Sequence, residues 1–508
     1  MGLNRLAVAA IVLGVLIALT KGRPRWLVAQ QNIILVLCAA LCLASWSHFG
    51  RFHGKGQIVH NWEQFHYFLG SKYFPELRYE GLYAAAIVAL DEQGRGRRLP
   101  DRVRDQRSLE VVSIDQARLH GMELRDEFKP ERWAAFKEDV ARISIPRNMW
   151  QDHGYNPTPA WTFSARLLTA NLPVTQTTMR ILASLDFILL GLVFWLLWRT
   201  YGLTVGCCAI IIFGLNYNAP MYWTGGAFLR QDWLAAITLC ICLLKRSHFA
   251  WAGAALAYAV SVRVFPVLFV IPLGIYALSC RWHGRSVAWV RPFVLSGLAV
   301  GALMFVGGTV AGGGLSVWQE SAQRLQQHQS IIRGNDVGLK MPFVVGWDNL
   351  RGALVEPGSA YDQAAGPRDY LRLKESRWWL IAFAALALSL LAARTAWRSK
   401  TSSDAAVLGL AFVFALSSPT CYYWVMLLLL PLRAPLQSTL GFVVLIWTIF
   451  LMTPVVRHLH TLGYIENFVI HQAFVPISAL MVVLFIYWLL PGRDPDYAKA
   501  KEPLTPTN

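Results

Sequence analysis

Between Gln57 and Glu76 one carboxylate, Glu63, stands among His60, His66, Lys72 and the rings of Trp62, Phe65, Tyr67 and Tyr73. If this stretch is helical, Glu63 and His66 share a face at i, i+3, and Glu63 and Tyr67 at i, i+4. Aromatic neighbours that exclude water raise a carboxyl pKa and fit it for general-base work. Aromatic walls also suit stacking on a sugar ring. The same composition describes an interfacial aromatic belt with its polar groups in solvent, and the residues alone leave both readings open. His60, His66, Asp152 and His153 are the metal-ligand types in this region, but no H-E-x-x-H pattern or i, i+4 histidine pair supports a site. Neither a divalent metal nor another cofactor is indicated.

Cations that could hold an anion lie elsewhere. Arg230 and Asp232 follow Gly225-Gly226, and Arg263 precedes Pro266. Each arginine falls at the end of an apolar run, where a guanidinium can grip a phosphate bidentately. The alternative for Arg230 and Asp232 is a pair that locks helices together. Asp186 sits well inside an apolar run, where an ionisable group is costly; its reading here is structural. Arg333 to Lys340 could order a turn around an anion. The segment Trp150 to Trp161, with Gly154, Pro157 and Pro159, is rigid and turn-rich, either a substrate wall or a structural clamp.

The elements that must bring these groups together are hydrophobic. Of 508 residues, 55% are hydrophobic and 15% charged, mean hydropathy is +0.40, and Trp (21), Phe (26) and Tyr (17) are abundant. A soluble chain carries about 25% charged residues. The composition excludes a cytosolic enzyme, a disordered chain and a disulfide scaffold. It leaves an all-α polytopic membrane protein. The net charge of +17 fits topology-setting Lys and Arg better than a nucleic-acid partner. The eight cysteines fall in or beside apolar runs, as small buried residues do.

A span needs roughly 20 apolar residues. About thirteen such runs begin near residues 3, 27, 177, 202, 229, 248, 265, 292, 377, 404, 421, 436 and 471. The chain thus divides into two N-terminal spans (1–46), a large external loop (47–176), a block of spans (177–310), a second external loop (311–376), C-terminal spans (377–490) and a cytoplasmic tail (491–508). The first run lacks a small-x-small site before Lys21 and is expected to be retained rather than cleaved as a signal peptide. Lys21, Arg23, Arg25, Arg199, Lys245, Arg246, Arg281, Arg285, Arg394, Arg398 and Arg433 all fall on one side, which the positive-inside rule places in the cytoplasm. Both long loops then face outward. In the first, Trp133, Phe136 and Val140 share a helical face, suited either to the membrane surface or to a small external domain.

Three local patterns resemble the GT-C glycosyltransferase superfamily, in its bacterial, mannosyltransferase-like branch that uses polyprenyl-phosphate sugars. From Gly226 to Pro266 a Leu-rich span, a Lys245-Arg246 turn, a Gly/Ala-rich span and a basic residue before proline follow that branch's layout, with Arg263 where it has Lys. Leu416 to Pro431 resembles its Ser-Pro element, with Tyr422, Tyr423 and Trp424 in place of its histidines. Ser330 to Lys340 stands where the branch has a polar motif. The first-loop acid is Glu63 rather than Asp.

The resemblance implies an inverting transferase of the bacterial inner membrane. It would move a sugar from a polyprenyl-phosphate donor to an envelope glycan or lipid on the outer face. Glu63 would be the base, with His66 or His60 orienting it. Arg230, Arg263 and Lys340 would hold the phosphate, Asp232 would hold Arg230, Lys72 would contribute to substrate binding, and Tyr422, Tyr423 and Trp424 would line the sugar site. The bilayer is the remaining partner. The rival readings are a polytopic transporter or flippase, and a non-catalytic envelope-assembly protein.

Overall fold

The computed structural model describes residues 2–20, 30–216, 218–330, 336–344, 365–433 and 474–490. The described residues are mostly helical, with one small antiparallel ribbon in which Arg102–Arg104 pairs with Val111–Ser113. Helices begin within a few residues of every expected span start in this set. They are Gly2–Thr20, Gln31–Trp46, Gln176–Tyr201, Leu203–Leu215, Asp232–Lys245, Phe249–Val262, Val270–Trp282, Val290–Ala311, Trp378–Trp397, Ser402–Leu416, the 3-10 helix Cys421–Leu432, and Phe474–Leu489. The span expected near residue 436 and the tail 491–508 lie outside the described residues.

Among the described residues four segments are long and apolar enough to cross a membrane: Gln176–Tyr201, Phe265–Trp282, Val290–Ala311 and Trp378–Trp397. Most of the others are shorter. At about 1.5 Å per residue, the 14 residues of Asp232–Lys245 reach only about two-thirds of a bilayer core roughly 30 Å thick. Local chemistry sets the ends of the long helix Gln176–Tyr201. Thr175 and Thr178 form a reciprocal cap at its start, and Gly202, at φ +89°, closes it. Val290–Ala311 shows Val294, Leu295, Leu298, Leu303, Val306 and Val310 to its surroundings, as a lipid-facing helix does. Its other side packs on Phe249–Val262, where a side chain at Gly253 would come within 1.9 Å of the Phe293 carbonyl. Small residues permit such close backbone approach.

The long first connection is built, not extended. A continuous helix over 61–72 contains a π-helical stretch, Gln64–Leu69, a rare form that recurs at functional sites. Leu82–Glu92 is buried along most of its length. Pro130–Arg142 buries Trp133, Phe136 and Val140, with Phe136 4.9 Å from the Tyr73 ring and Trp133 5.2 Å from Phe128. The apolar face of this helix is thus covered by rings of the same connection. The connection is pinned to the helices around it: Thr158 Oγ1 donates to the Ser261 carbonyl at 2.7 Å, and Arg78 pairs with Glu320 of Ser316–Ser330.

Candidate functional site

Two loops must meet for Glu63 to find a partner. One is 53–60, leading into the 61–72 helix; the other is 222–231, leading into Asp232–Lys245. Gly226 makes the meeting possible. It lies at φ +69°, and a β-carbon there would sit 1.5 Å from the Ile58 carbonyl oxygen; only glycine tolerates both conditions. The Gly226 carbonyl accepts from the His60 N–H at 3.1 Å, and His53 Nε2 donates to the Gly225 carbonyl at 2.6 Å.

His60 joins the loops a second time. Its Nδ1 accepts from the Glu63 N–H at 3.2 Å, so the ring proton resides on Nε2, which donates to the Tyr222 carbonyl at 2.8 Å. Burial pushes His60 down to about 4; the Tyr222 carbonyl opposes this and the Arg230 charge reinforces it. The ring is therefore neutral at pH 7, as its accepting Nδ1 requires. His60 orients Glu63 through the backbone rather than the carboxylate.

Arg230 is fixed from three directions. Its N–H donates to the Asp186 carboxylate at 2.8 and 3.1 Å, and the Gln231 N–H donates to the same group at 2.9 Å. The Trp233 indole donates to the Arg230 carbonyl at 3.0 Å. The preceding residue, Leu229, takes a left-handed φ of +47°. From this anchor Arg230 Nη1 reaches Glu63 Oε2 at 3.0 Å, with side chains only 6% and 9% exposed respectively. Its guanidinium lies 4.2 Å from the Tyr422 ring centre and 5.8 Å from that of Tyr67, whose hydroxyl accepts from Nη1 at 3.4 Å. Arg263 lies 5.8 Å from the Trp161 ring centre, close enough to act on the Glu63 charge.

Burial pushes the Glu63 carboxyl above the ordinary glutamate value; Arg230, His66 and Arg263 pull it back without cancelling the rise. Among the described residues Arg230 Nε, Arg263 Nε, the side-chain Oε1 of Gln231 and both side-chain amide atoms of Gln64 are buried without a hydrogen-bond partner, and Glu63 Oε2 has its ion pair with Arg230 but no hydrogen bond. Buried polar atoms are nearly always satisfied. A concentration of unsatisfied ones around a carboxylate and two guanidinium groups fits an anionic, hydroxyl-bearing ligand or ordered water.

The remaining expected site residues fall in several places. His66 is buried with Nδ1 on the Trp62 carbonyl at 2.9 Å and Nε2 on the Tyr83 hydroxyl at 2.7 Å. Burial lowers its pKa, while Asp152 and Glu63 pull the other way. Asp152 accepts from the Trp62 indole at 2.7 Å. Asp232 does not hold Arg230: among the described residues Arg230 pairs with Glu63, and Asp232 accepts from its neighbour's N–H and from Tyr258 at 3.2 Å. Lys72 is buried against Asp139 at 2.6 Å and the Leu172 carbonyl at 2.8 Å.

The Ser-Pro element and the second loop do meet. Asp336 bridges to Thr420, the Val337 and Leu339 N–H groups donate to Pro419 and Phe414, and Trp424 donates to the Val337 carbonyl at 3.0 Å. The partly exposed Lys340 follows directly on the Leu339 contact with Phe414. Trp424 itself is fully buried and belongs to that clamp. Tyr423 packs on Trp233 and Phe265 at 5.6 and 5.0 Å.

The structure thus brings Glu63, Arg230, Arg263 and Tyr422 together, joined by Tyr67 and Trp161. Two contributors escaped sequence reasoning: His53, and Asp186 as the anchor of the 230–231 backbone. Glycines at 54, 56, 225 and 226 around His53 and His60 were the available sign of loops in close contact. Among the described residues no three His, Cys, Asp or Glu side chains gather as metal ligands, and all eight cysteines are buried thiols. Comparison with protein-family models, with curated proteins and with solved structures returns no match.

Proposed function

We propose that this chain is a membrane-embedded inverting glycosyltransferase of the GT-C type, moving a sugar from a polyprenyl-phosphate donor to a glycan or lipid acceptor at the outer face. The observation that carries the reading is the buried Glu63–Arg230 pair, with the Tyr67 and Tyr422 rings beside the guanidinium and Arg230 Nε making no hydrogen bond. A carboxylate lifted by burial is a stronger base than one in water. Guanidinium groups beside it suit a leaving phosphate.

In the proposed reaction the acceptor hydroxyl attacks the anomeric carbon as the bond to the phosphate oxygen breaks. Glu63 takes the hydroxyl proton. The electron pair of the broken bond goes to the polyprenyl phosphate, whose gained charge Arg230 and Arg263 stabilise. Lys340, from the second loop, is the third cation of the proposal. Tyr67 and Tyr422 provide ring surfaces for the sugar, and Tyr423 and the fully buried Trp161 back them. His60 holds the Glu63 backbone, and His66 supports the helix behind it. Lys72 and Trp424 serve the scaffold.

The test uses purified protein in detergent with a panel of radiolabelled polyprenyl-phosphate sugars and an envelope extract as acceptor. Wild type transfers label, and Glu63→Gln lowers kcat by roughly 10²–10⁴-fold, the usual contribution of a positioned base, while remaining folded. Full transfer by Glu63→Gln rejects the base. Movement of the lipid across vesicle membranes without transfer rejects the enzyme in favour of a flippase.

A further inference from the structure

Asp186 is 2% exposed, inside the longest apolar helix, Gln176–Tyr201. Among the described residues no Lys or Arg side chain pairs with it. A carboxylate in such a place is expensive, and the proposed chemistry gives it nothing to touch. Its partners are instead two backbone N–H groups, those of Arg230 and Gln231, at 2.8–3.1 Å.

The Gln231 N–H is the N-cap donor of Asp232–Lys245, where the Gln231 side chain supplies no cap, and the Arg230 N–H lies one residue before it. An acceptor delivered from a different helix fills that role. The same contact fixes where Arg230 leaves the backbone. Its N–H is held by Asp186, its carbonyl by the Trp233 indole at 3.0 Å, and the chain enters through the left-handed Leu229. From that backbone the guanidinium extends over Tyr422 and onto Glu63.

We infer that Asp186 is a positioning residue: its carboxylate, acting through the Arg230 and Gln231 N–H groups, aims the Arg230 guanidinium at Glu63 and at the donor phosphate. The phosphate half of this statement rests on the function proposed above; the Glu63 half does not. Capping alone would be served by any nearby acceptor, because it needs no set distance between helices. Aiming needs one carboxylate length.

The experiment is a mutant cycle in the full-length protein in detergent, with thermal midpoint as readout. Glu63→Gln, Arg230→Gln and the double variant are compared in three backgrounds. With Asp186 intact the two substitutions are non-additive, as for any pair in contact. Asp186→Asn keeps an acceptor oxygen in place and preserves the non-additivity. Asp186→Ala abolishes it. Asp186→Glu retains acid and cap but lengthens the arm by a methylene, so it also abolishes it, and it serves where the alanine variant does not fold. Non-additivity surviving in both the alanine and glutamate backgrounds overturns the inference.

A second arm measures binding of farnesyl phosphate against farnesol. Wild type prefers the phosphate by roughly tenfold or more, the scale of one charge-assisted contact. Arg230→Gln loses the preference, Asp186→Ala or Asp186→Glu loses it equally, and neither adds further loss in the Arg230→Gln background. A wild type without preference rejects the phosphate reading and leaves the cycle to decide Asp186. Intact preference in the Asp186 variants, with loss in Arg230→Gln, overturns the inference alone.

Discussion

Removing Arg230 should be one of the more damaging single changes in this protein, and the reason is electrostatic. Glu63 and Arg230 stand 3.0 Å apart with side chains 9% and 6% exposed. At an effective dielectric near 20 their attraction is about 5–6 kcal/mol. Most of that offsets the cost of desolvating both groups, so the intact pair contributes little net stability. Breaking it is different: Arg230→Gln leaves a buried carboxylate without its counter-charge, a change that costs about 3–5 kcal/mol.

Glu63 has an escape, since burial already lifts its pKa and loss of Arg230 lifts it further. A group whose folded pKa is raised binds a proton more tightly when folded. The variant therefore recovers stability as pH falls through that raised value, and the penalty is larger at pH 8 than at pH 5. Removing both charges in the double variant should restore most of the loss. Reversible unfolding in mixed micelles at the two pH values reads all of this. Strict additivity of the two single changes, or an Arg230→Gln penalty indifferent to pH, refutes the reasoning.

His53 and His60 are both pushed down from 6.5 to about 4, burial being the first cause in each. The unfolded chain then binds protons that the folded chain refuses, so stability falls as pH drops from about 6.5 towards 4. His60→Asn, whose amide oxygen still accepts from the Glu63 N–H, should flatten that window in a thermal-shift pH series; an unchanged slope speaks against a buried neutral ring. Gly226→Ala should lower folded yield sharply and cost well over 1 kcal/mol, because its β-carbon has no room and the backbone angle is adverse; normal expression with normal transfer would show that the two loops need not touch. Lys72→Met leaves the buried Asp139 without its counter-charge, held only by the Tyr73 hydroxyl and the Val174 N–H, a loss of about 3–5 kcal/mol. It should leave the donor KM unchanged, and a raised KM would return Lys72 to the substrate site.

Much of the architecture was readable before any coordinates. Apolar runs declare helices because every backbone polar group in hydrocarbon must be satisfied within its own segment, and helices appear at the expected starts. The runs did not give lengths: the 14-residue helix at Asp232 and the break at Pro266 arise from caps and prolines that an apolar count overlooks. The stripe of Trp133, Phe136 and Val140 announced an amphipathic helix, but the Tyr73 ring that covers Phe136 comes from a distant part of the chain.

Glu63 and Arg230 each stood out by residue type. Their pairing, across 167 positions, did not. Asp232, two residues away, was the nearer partner in sequence, yet the Asp186 hydrogen bonds and the turn at Leu229 send the Arg230 side chain to Glu63. Lys72 and Trp424 looked equally suited to a ligand until Asp139 and the Val337 carbonyl took up their polar atoms. Residue identity fixes what a group can do chemically. Which partner it meets depends on chain segments brought together by burial, and that information is distributed over the whole sequence rather than carried by the group's neighbours.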